Sequence, residues 1–128
     1  HRSRLACADL YLDAWPCNAH TTAGEALWAG VPVLTWMGET FAQRVAPSLL
    51  NAVGLNELVR TSVADYEAEA IALAQDAARR AALREHLIAH RGGRLFDGER
   101  FARDIEALYE RMWARAVAGA PPEHLPAQ

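Results

Sequence analysis

The residues most suited to chemistry lie in the stretch CNAHTTAGEALWAG, residues 17 to 30. His20, Thr21 and Thr22 stand between an apolar run and a segment with helical spacing, and Glu25 follows one turn later. The first amides of a helix lack partners within the helix, and its dipole places about half a positive charge there. Together these donors suit a phosphate group, and Glu25 suits two neighbouring ribose hydroxyls.

The same stretch also fits a purely structural role. Thr22-x-x-Glu25 is a capping box, in which the two side chains satisfy backbone amides at a helix start. In this structural interpretation His20 is a surface or capping histidine, and Cys17 is a small buried residue. The spacing leaves both interpretations open.

Strand-like and helix-like segments alternate around these residues. DLYLD (9–13) and VPVLTW (31–36) predict two buried strands, and a helix is predicted from Thr22 to about Trp28, with Gly30 ending it. Strand, helix and strand in this order predict a βαβ unit of a parallel sheet. The start of its helix then lies at the carboxyl edge of the sheet, where phosphates bind in α/β folds.

The next segment predicts a helix and an edge strand. Thr40-x-x-Gln43 is a second capping box and predicts a helix running toward Ala52. Pro47 falls inside it and predicts a kink, because proline lacks a backbone donor. LNELV (55–59) predicts a short edge strand or a turn.

Three helices are predicted in the rest of the chain. Ser62 and Asp76 are predicted to cap the first two, and Asp97 the last. The last helix carries an apolar stripe that predicts a packing face, formed by Phe101, Ile105, Leu108 and Met112. After Gly119 the tail is expected to be a mobile loop.

Composition and charge exclude several classes of protein. Thirteen basic residues against 16 acidic ones give a net charge of -3, so no nucleic-acid partner is expected. No apolar run approaches the roughly 20 residues of a membrane helix. Cys7 and Cys17 have neither zinc-site spacing nor the density of a disulfide scaffold. A cytoplasmic protein without a metal site or a membrane partner is expected.

The chain begins at His1, which predicts a longer polypeptide around it. Two or three strands and five helices are too few for an independent sheet covered on both faces. The remaining strands are therefore expected upstream.

Several co-linear motifs resemble one enzyme family. C-N-A-H-T-T, L-W-A-G-x-P, G-E-T-x-A-x-R-V-A and the later LFDGERFARDIEALYERMW are similar to the C-terminal catalytic region of O-linked N-acetylglucosamine transferases and their SPINDLY-like bacterial relatives. The resemblance covers almost the whole chain. It implies an α/β fold with few parallel strands and several helices, the later part of the C-terminal Rossmann-like lobe of a GT-B glycosyltransferase. Residues 1–60 are then part of the nucleotide-sugar-binding lobe, 61–118 its helical C-terminal part and 119–128 a flexible tail.

The resemblance also implies an activity. Family members transfer N-acetylglucosamine from UDP-GlcNAc to serine or threonine of proteins, with inversion, without a metal and without a cofactor beyond the donor substrate. Tetratricopeptide repeats upstream present the acceptor protein. The family's catalytic residues correspond to positions before residue 1, so no catalytic residue is expected here and the fragment alone is expected to be inactive.

The family's donor site maps onto the opening stretch. His20, Thr21 and Thr22 correspond to the cluster around the pyrophosphate and the sugar. Glu25 takes the place of the acidic residue that holds the ribose, usually aspartate in animal members. Cys17 corresponds to a position beside the donor sugar.

Four further positions belong to family motifs. His1 and Arg4 match an H-x-x-R pattern that contacts the uracil. Glu39 and Arg44, in G-E-T-x-A-x-R, are expected to be structural and to pair beside the kinked helix.

Two alternatives stay open at this stage. One is a GDP-fucose-dependent protein O-fucosyltransferase, as plant SPINDLY proteins are. The other is a non-catalytic helical fragment that binds a partner or forms an oligomer through apolar surface exposed by the truncation.

Overall fold

A parallel sheet of three short strands lies at the centre of the N-terminal part of the chain. The computed structural model describes residues 2–126, which divide into two compact units between Leu95 and Phe96. The strands of the first unit are β1 (Tyr11–Leu12), β2 (Val33–Trp36) and β3 (Val59–Arg60), in the order β1-β2-β3. Tyr11 pairs with Val33, and Thr35 pairs with Val59.

Helices connect and cover these strands. Those of the first unit are α1 (Arg2–Leu5), α2 (Thr21–Trp28), α3 (Val45–Ala52), α4 (Val63–Gln75) and α5 (Ala77–Ala89), with 3-10 turns at Phe41–Gln43 and Asn56–Leu58. The second unit contains α6 (Gly98–Val117). No helix among residues 2–126 is long and apolar enough to cross a membrane.

The core lies between β2 and the helices around it. Its fully buried side chains come from several elements and include Leu27, Leu34, Leu50, Leu58, Leu73 and Leu87. Val33, Leu34 and Thr35 of β2 are all buried, as is typical of a central strand in a parallel sheet. The predicted βαβ unit is confirmed, although its strands are shorter than the apolar runs that predicted them.

The helix that contains Pro47 differs from its prediction. Residues 41–43 form a separate 3-10 turn, and α3 begins only at Val45. Pro47 therefore lies in the first turn of α3, where a missing amide costs no helical hydrogen bond. The predicted kink inside a longer helix is wrong. The Gln43 side chain does accept the backbone amides of Glu39 and Thr40, at 3.0 and 3.2 Å.

The predicted caps of the later helices are confirmed. Ser62 Oγ accepts the Asp65 amide at the start of α4, and Asp76 Oδ1 accepts the Arg79 amide at the start of α5. Asp97 caps α6 in the same way, by accepting the amide of Arg100.

A charged network joins β3, α4 and α5. Glu69 of α4 pairs with Arg60 of β3 at 2.7 Å and with Arg79 of α5 at 2.6 Å. The Glu69 side chain is only 14% exposed. This network ties the edge strand to the helices that follow it.

The second unit is α6 with the tail folded along it. Arg111 donates to the carbonyl of Pro126, and Arg115 forms an ion pair with Glu123. No side chain of α6 is fully buried, and Phe101 and Trp113 are 66% and 72% exposed. Ile105 and Leu108 of the apolar stripe are half-buried, and the packing face predicted for the whole stripe stays a prediction.

Candidate functional site

Two connecting segments meet at the carboxyl edge of the sheet. Residues 13–20 lead from β1 to α2, and residues 37–44 lead from β2 to α3. The backbone amide of Asn18 in the first segment donates to the carbonyl of Ala42 in the second, at 2.9 Å. Loops at this edge form the ligand sites of parallel α/β folds.

Asp13 organises the first segment, named here the 13–20 segment. Its side chain is buried, and Oδ1 accepts the backbone amides of Ala14 and Ala19 at 2.9 and 2.7 Å. Its Oδ2 accepts the hydroxyl of Thr35 on β2 at 2.6 Å. One carboxylate therefore fixes both ends of the segment to the neighbouring strand.

Tyr66 adds a contact from α4. Its hydroxyl donates to the backbone carbonyl of Asp13 at 2.9 Å. Burial raises the pKa of the Tyr66 phenol, and the nearby charge of Asp13 raises it further. The phenol therefore keeps its proton, and remains a donor, throughout the physiological range.

Two tryptophans and a buried asparagine hold the middle of the 13–20 segment. The rings of Trp15 and Trp36 stack with centroids 4.0 Å apart. The Asn18 amide nitrogen donates to the carbonyls of Ala14 and Trp36, both at 3.4 Å. The segment is thus fixed against the end of β2 by stacking and by hydrogen bonds.

Gly38 is required by this packing. A Cβ atom at this position would lie 2.6 Å from Trp15 Cη2 and would also collide with the Gln43 amide oxygen. We expect Gly38→Ala to lower the free energy of unfolding by about 1 to 2 kcal/mol, because overpacking forces both side chains to move. Chemical denaturation measures this. Gly24→Ala is the matched control, because nothing lies within 4 Å of its added methyl group; equal stability of the two variants would contradict the prediction.

The start of α2 has no side-chain cap. His20 occupies the N-cap position without a capping hydrogen bond, and the first turn carries no acidic residue. Thr22 lies inside the helix, and its Oγ1 accepts the Tyr11 hydroxyl at 3.5 Å. The capping box predicted for Thr22 and Glu25 is therefore wrong. Asp13, the residue after β1, holds the chain before the helix instead.

The predicted donor-site residues at this edge differ in how exposed they are to solvent. His20, Thr21 and Thr22 are exposed around the start of α2, and Cys17 is exposed in the segment before it. Cys17 is thus not the buried residue of the structural interpretation. Glu25 is half-buried one turn into α2. The His20 ring meets Phe41 edge-on, with centroids 6.1 Å apart, which brings the second segment to the same place.

The remaining predicted residues are placed differently. Arg4 is exposed on α1, which packs against α2, and His1 lies outside the described residues. Arg44 donates to the carbonyl of Gly38 at 3.4 Å and makes no ion pair with Glu39, so their predicted pairing is wrong. Arg44 instead lines an open groove of about 860 Å³ beside Phe41.

The described part of the chain contains no group of three or more His, Cys, Asp or Glu side chains arranged to hold a metal ion. The donors at the edge are hydroxyls, backbone amides and one imidazole. This set can bind an anion through hydrogen bonds and the helix dipole.

The sequence is similar to one enzyme family over most of its length. The profile of the family described as Glycosyl transferase family 41 matches residues 1–105. A UDP-N-acetylglucosamine--peptide N-acetylglucosaminyltransferase from Caenorhabditis elegans is 38% identical over 98% of this chain and 11% of its own length. An Arabidopsis thaliana protein named as a probable transferase of the same kind, SEC, is 40% identical over 97% of this chain and 13% of its own length. A rice protein named as a probable transferase of the same kind, SPINDLY, is 37% identical over 95% of this chain and 13% of its own length.

A solved structure has the same fold. A mutant O-GlcNAc transferase from Thermobaculum terrenum superposes with a TM-score of 0.83 at 35% identity, over 94% of this chain and 23% of the other. The predicted fold class, part of a Rossmann-like GT-B lobe, is confirmed by this match. The chain spans 11 to 13% of the length of the three curated relatives.

Proposed function

Because the chain belongs to glycosyl transferase family 41, we propose that it carries the donor-nucleotide part of a protein O-glycosyltransferase. The full-length enzyme would transfer N-acetylglucosamine from UDP-GlcNAc to serine or threonine hydroxyls of proteins. The C. elegans relative is named for this donor and for a peptide acceptor. All three curated relatives are named for UDP-N-acetylglucosamine, which gives no support to the GDP-fucose alternative.

The observation that carries this proposal is the uncapped start of α2. Its first amides, with the exposed side chains of His20, Thr21 and Thr22, face the edge where a βαβ unit binds phosphate. No acidic residue in the first turn opposes an anion there. A diphosphate fits both the charge and the hydrogen-bonding capacity of this end.

The proposed chemistry follows from that placement. When the bond between the sugar and the diphosphate breaks, negative charge develops on the leaving oxygen. Amide and hydroxyl donors that are already in position stabilise this charge without having to reorganise. The helix end then takes the role that a metal ion plays elsewhere. The acceptor hydroxyl attacks the sugar carbon from the opposite face, with inversion, and gives up its proton to a base in an upstream part of the enzyme.

Other parts of the proposal concern what lies around this chain. The catalytic groups and the tetratricopeptide repeats that present the acceptor belong to upstream parts of the enzyme, so this chain alone is inactive. Arg4 and His1 contact the uracil, Cys17 lies beside the sugar, and the enzyme works in the cytoplasm. An isolated fragment would form oligomers through the apolar surface that the missing strands leave exposed.

Glu25 tests the nucleotide assignment. We expect Glu25→Ala in the full-length protein to weaken UDP binding about tenfold, which is about 1.4 kcal/mol, because ribose hydroxyls lose a charged acceptor. Calorimetric titration with UDP measures this. The control is Glu67→Ala on the exposed face of α4, which is expected to leave the affinity unchanged. An unchanged affinity in Glu25→Ala would remove Glu25 from the site.

A further inference from the structure

We propose that Asp13 is the positioning residue for the donor diphosphate. Its carboxylate holds the 13–20 segment in the path that presents the first amides of α2 to the sheet edge. This inference rests on the proposed function, since it concerns the geometry of that same site. Asp13 itself does not touch the nucleotide.

The contacts of Asp13 all serve this path. Asp13 is 7% exposed, and its side chain accepts three hydrogen bonds, from the amides of Ala14 and Ala19 and from the hydroxyl of Thr35. Its own amide donates to Leu34 at 3.0 Å, and its carbonyl accepts from Tyr66. The residue is thus fixed to β2 and α4 while it holds both ends of the segment.

The position of the Ala19 amide explains why the bond from this amide to Asp13 leaves the start of α2 free. Ala19 immediately precedes the N-cap residue His20, so Asp13 binds a donor outside α2. In a helix capped by its own N-cap residue, that side chain occupies an amide of the first turn. Here the anchoring is done by Asp13, which directly follows β1, and the first-turn amides of α2 stay available to a ligand.

The chemistry of the carboxylate explains why aspartate serves here. A buried carboxylate that accepts several donors makes charge-assisted bonds, which are shorter and stronger than neutral ones. The donors that stabilise the carboxylate are the amides of Ala14 and Ala19 and the hydroxyl of Thr35. Removing any of these bonds loosens the segment that leads directly to His20 and Thr21.

Asp13→Ala and Asp13→Asn in the full-length protein separate positioning from general stability. The affinity for UDP is measured by calorimetric titration, and the affinity for uridine by competition with UDP. Uridine is the comparison ligand because it lacks the diphosphate. We expect Asp13→Ala to weaken UDP binding at least tenfold and to change uridine binding less than twofold. Asp13→Asn keeps an acceptor for the two amides and is expected to restore UDP binding to within threefold of the wild type.

Thr35→Val keeps the experiment decisive if Asp13→Ala does not fold. It removes only the hydrogen bond to Asp13 Oδ2, and about a threefold loss of UDP affinity with unchanged uridine affinity is expected. Equal losses for the two ligands would mean a merely structural role, and no loss for UDP would mean no role; either result overturns the inference. A wild-type protein that binds no UDP would instead refute the proposed function on which the inference rests.

Discussion

Thr21→Glu in the full-length protein is expected to weaken UDP binding about 100-fold without loss of stability. Thr21 is exposed at the first position of α2. A carboxylate there adds a negative charge within a few ångströms of the proposed diphosphate, and two unit charges 4 Å apart near a protein surface interact by about 4 kcal/mol. Salt and solvent screen this exposed position, which reduces the expected repulsion to about 2.8 kcal/mol, or 100-fold. The same carboxylate interacts favourably with the helix dipole, by about 0.3 to 1 kcal/mol. Affinity and stability are therefore expected to change in opposite directions, which calorimetric titration and thermal unfolding measure together.

Thr21→Gln is the control for size and for the lost hydroxyl. It has nearly the shape of the glutamate but no charge, and a loss of less than tenfold is expected. Charge repulsion predicts a large difference in UDP affinity between the two variants, and this difference shrinks as salt is added. Equal UDP affinities in the glutamate and glutamine variants would mean that no anion binds at the start of α2.

Glu69→Ala is expected to lower the free energy of unfolding by about 3 kcal/mol. The variant leaves Arg60 and Arg79 side by side without their shared acceptor, and breaking a largely buried ion pair typically costs about 3 to 5 kcal/mol. The lower end applies because the side chains of Arg60 and Arg79 are 22% and 37% exposed. Urea unfolding measures the loss. The control is Asp104→Ala, which breaks the exposed Arg100–Asp104 pair and is expected to cost less than about 0.5 kcal/mol. Similar losses in both variants would contradict the account of the network.

The same network predicts a dependence of stability on pH. Burial raises the pKa of Glu69, but the hydrogen bonds and charges of Arg60 and Arg79 outweigh it, so the pKa lies below its ordinary value. A group whose pKa is lowered by folding stabilises the folded state fully above its unfolded pKa, about 4.3 for glutamate, and loses that contribution as pH falls through the folded value. The difference in stability between wild type and Glu69→Ala is therefore expected to shrink below about pH 4.

Local sequence patterns predict which helices and strands form better than they predict the residue at which each one begins. The structure confirms the features that depend only on neighbours in sequence. These are the strand predicted within residues 31–36, the end of α2 just before Gly30 and the caps Ser62 and Asp76. The capping box at Thr22 and the kink at Pro47 are wrong for one reason. In both cases the helix begins at another residue than the local pattern indicates: the chain before α2 is held by the bond that the Ala19 amide donates to Asp13, and α3 begins only after a separate 3-10 turn.

The residues that hold the site together were not found from the sequence. Asp13 marked the end of an apolar run, which was a signal for a buried polar residue at a strand end. Its partner Thr35 and the Tyr66 contact lie 22 and 53 residues away, and no periodic pattern connects such positions. The family itself was predicted from its motifs, and the match to residues 1–105 confirms it.

Amide hydrogen exchange of the full-length protein, with and without saturating UDP, tests the central claim most directly. The first amides of a helix have no partner within it and exchange readily unless a ligand accepts their hydrogen bonds. The account predicts that UDP slows exchange at Thr21, Thr22 and Ala23. Saturation with UDP that leaves exchange at these three amides unchanged would contradict the claim that the start of α2 holds the donor diphosphate.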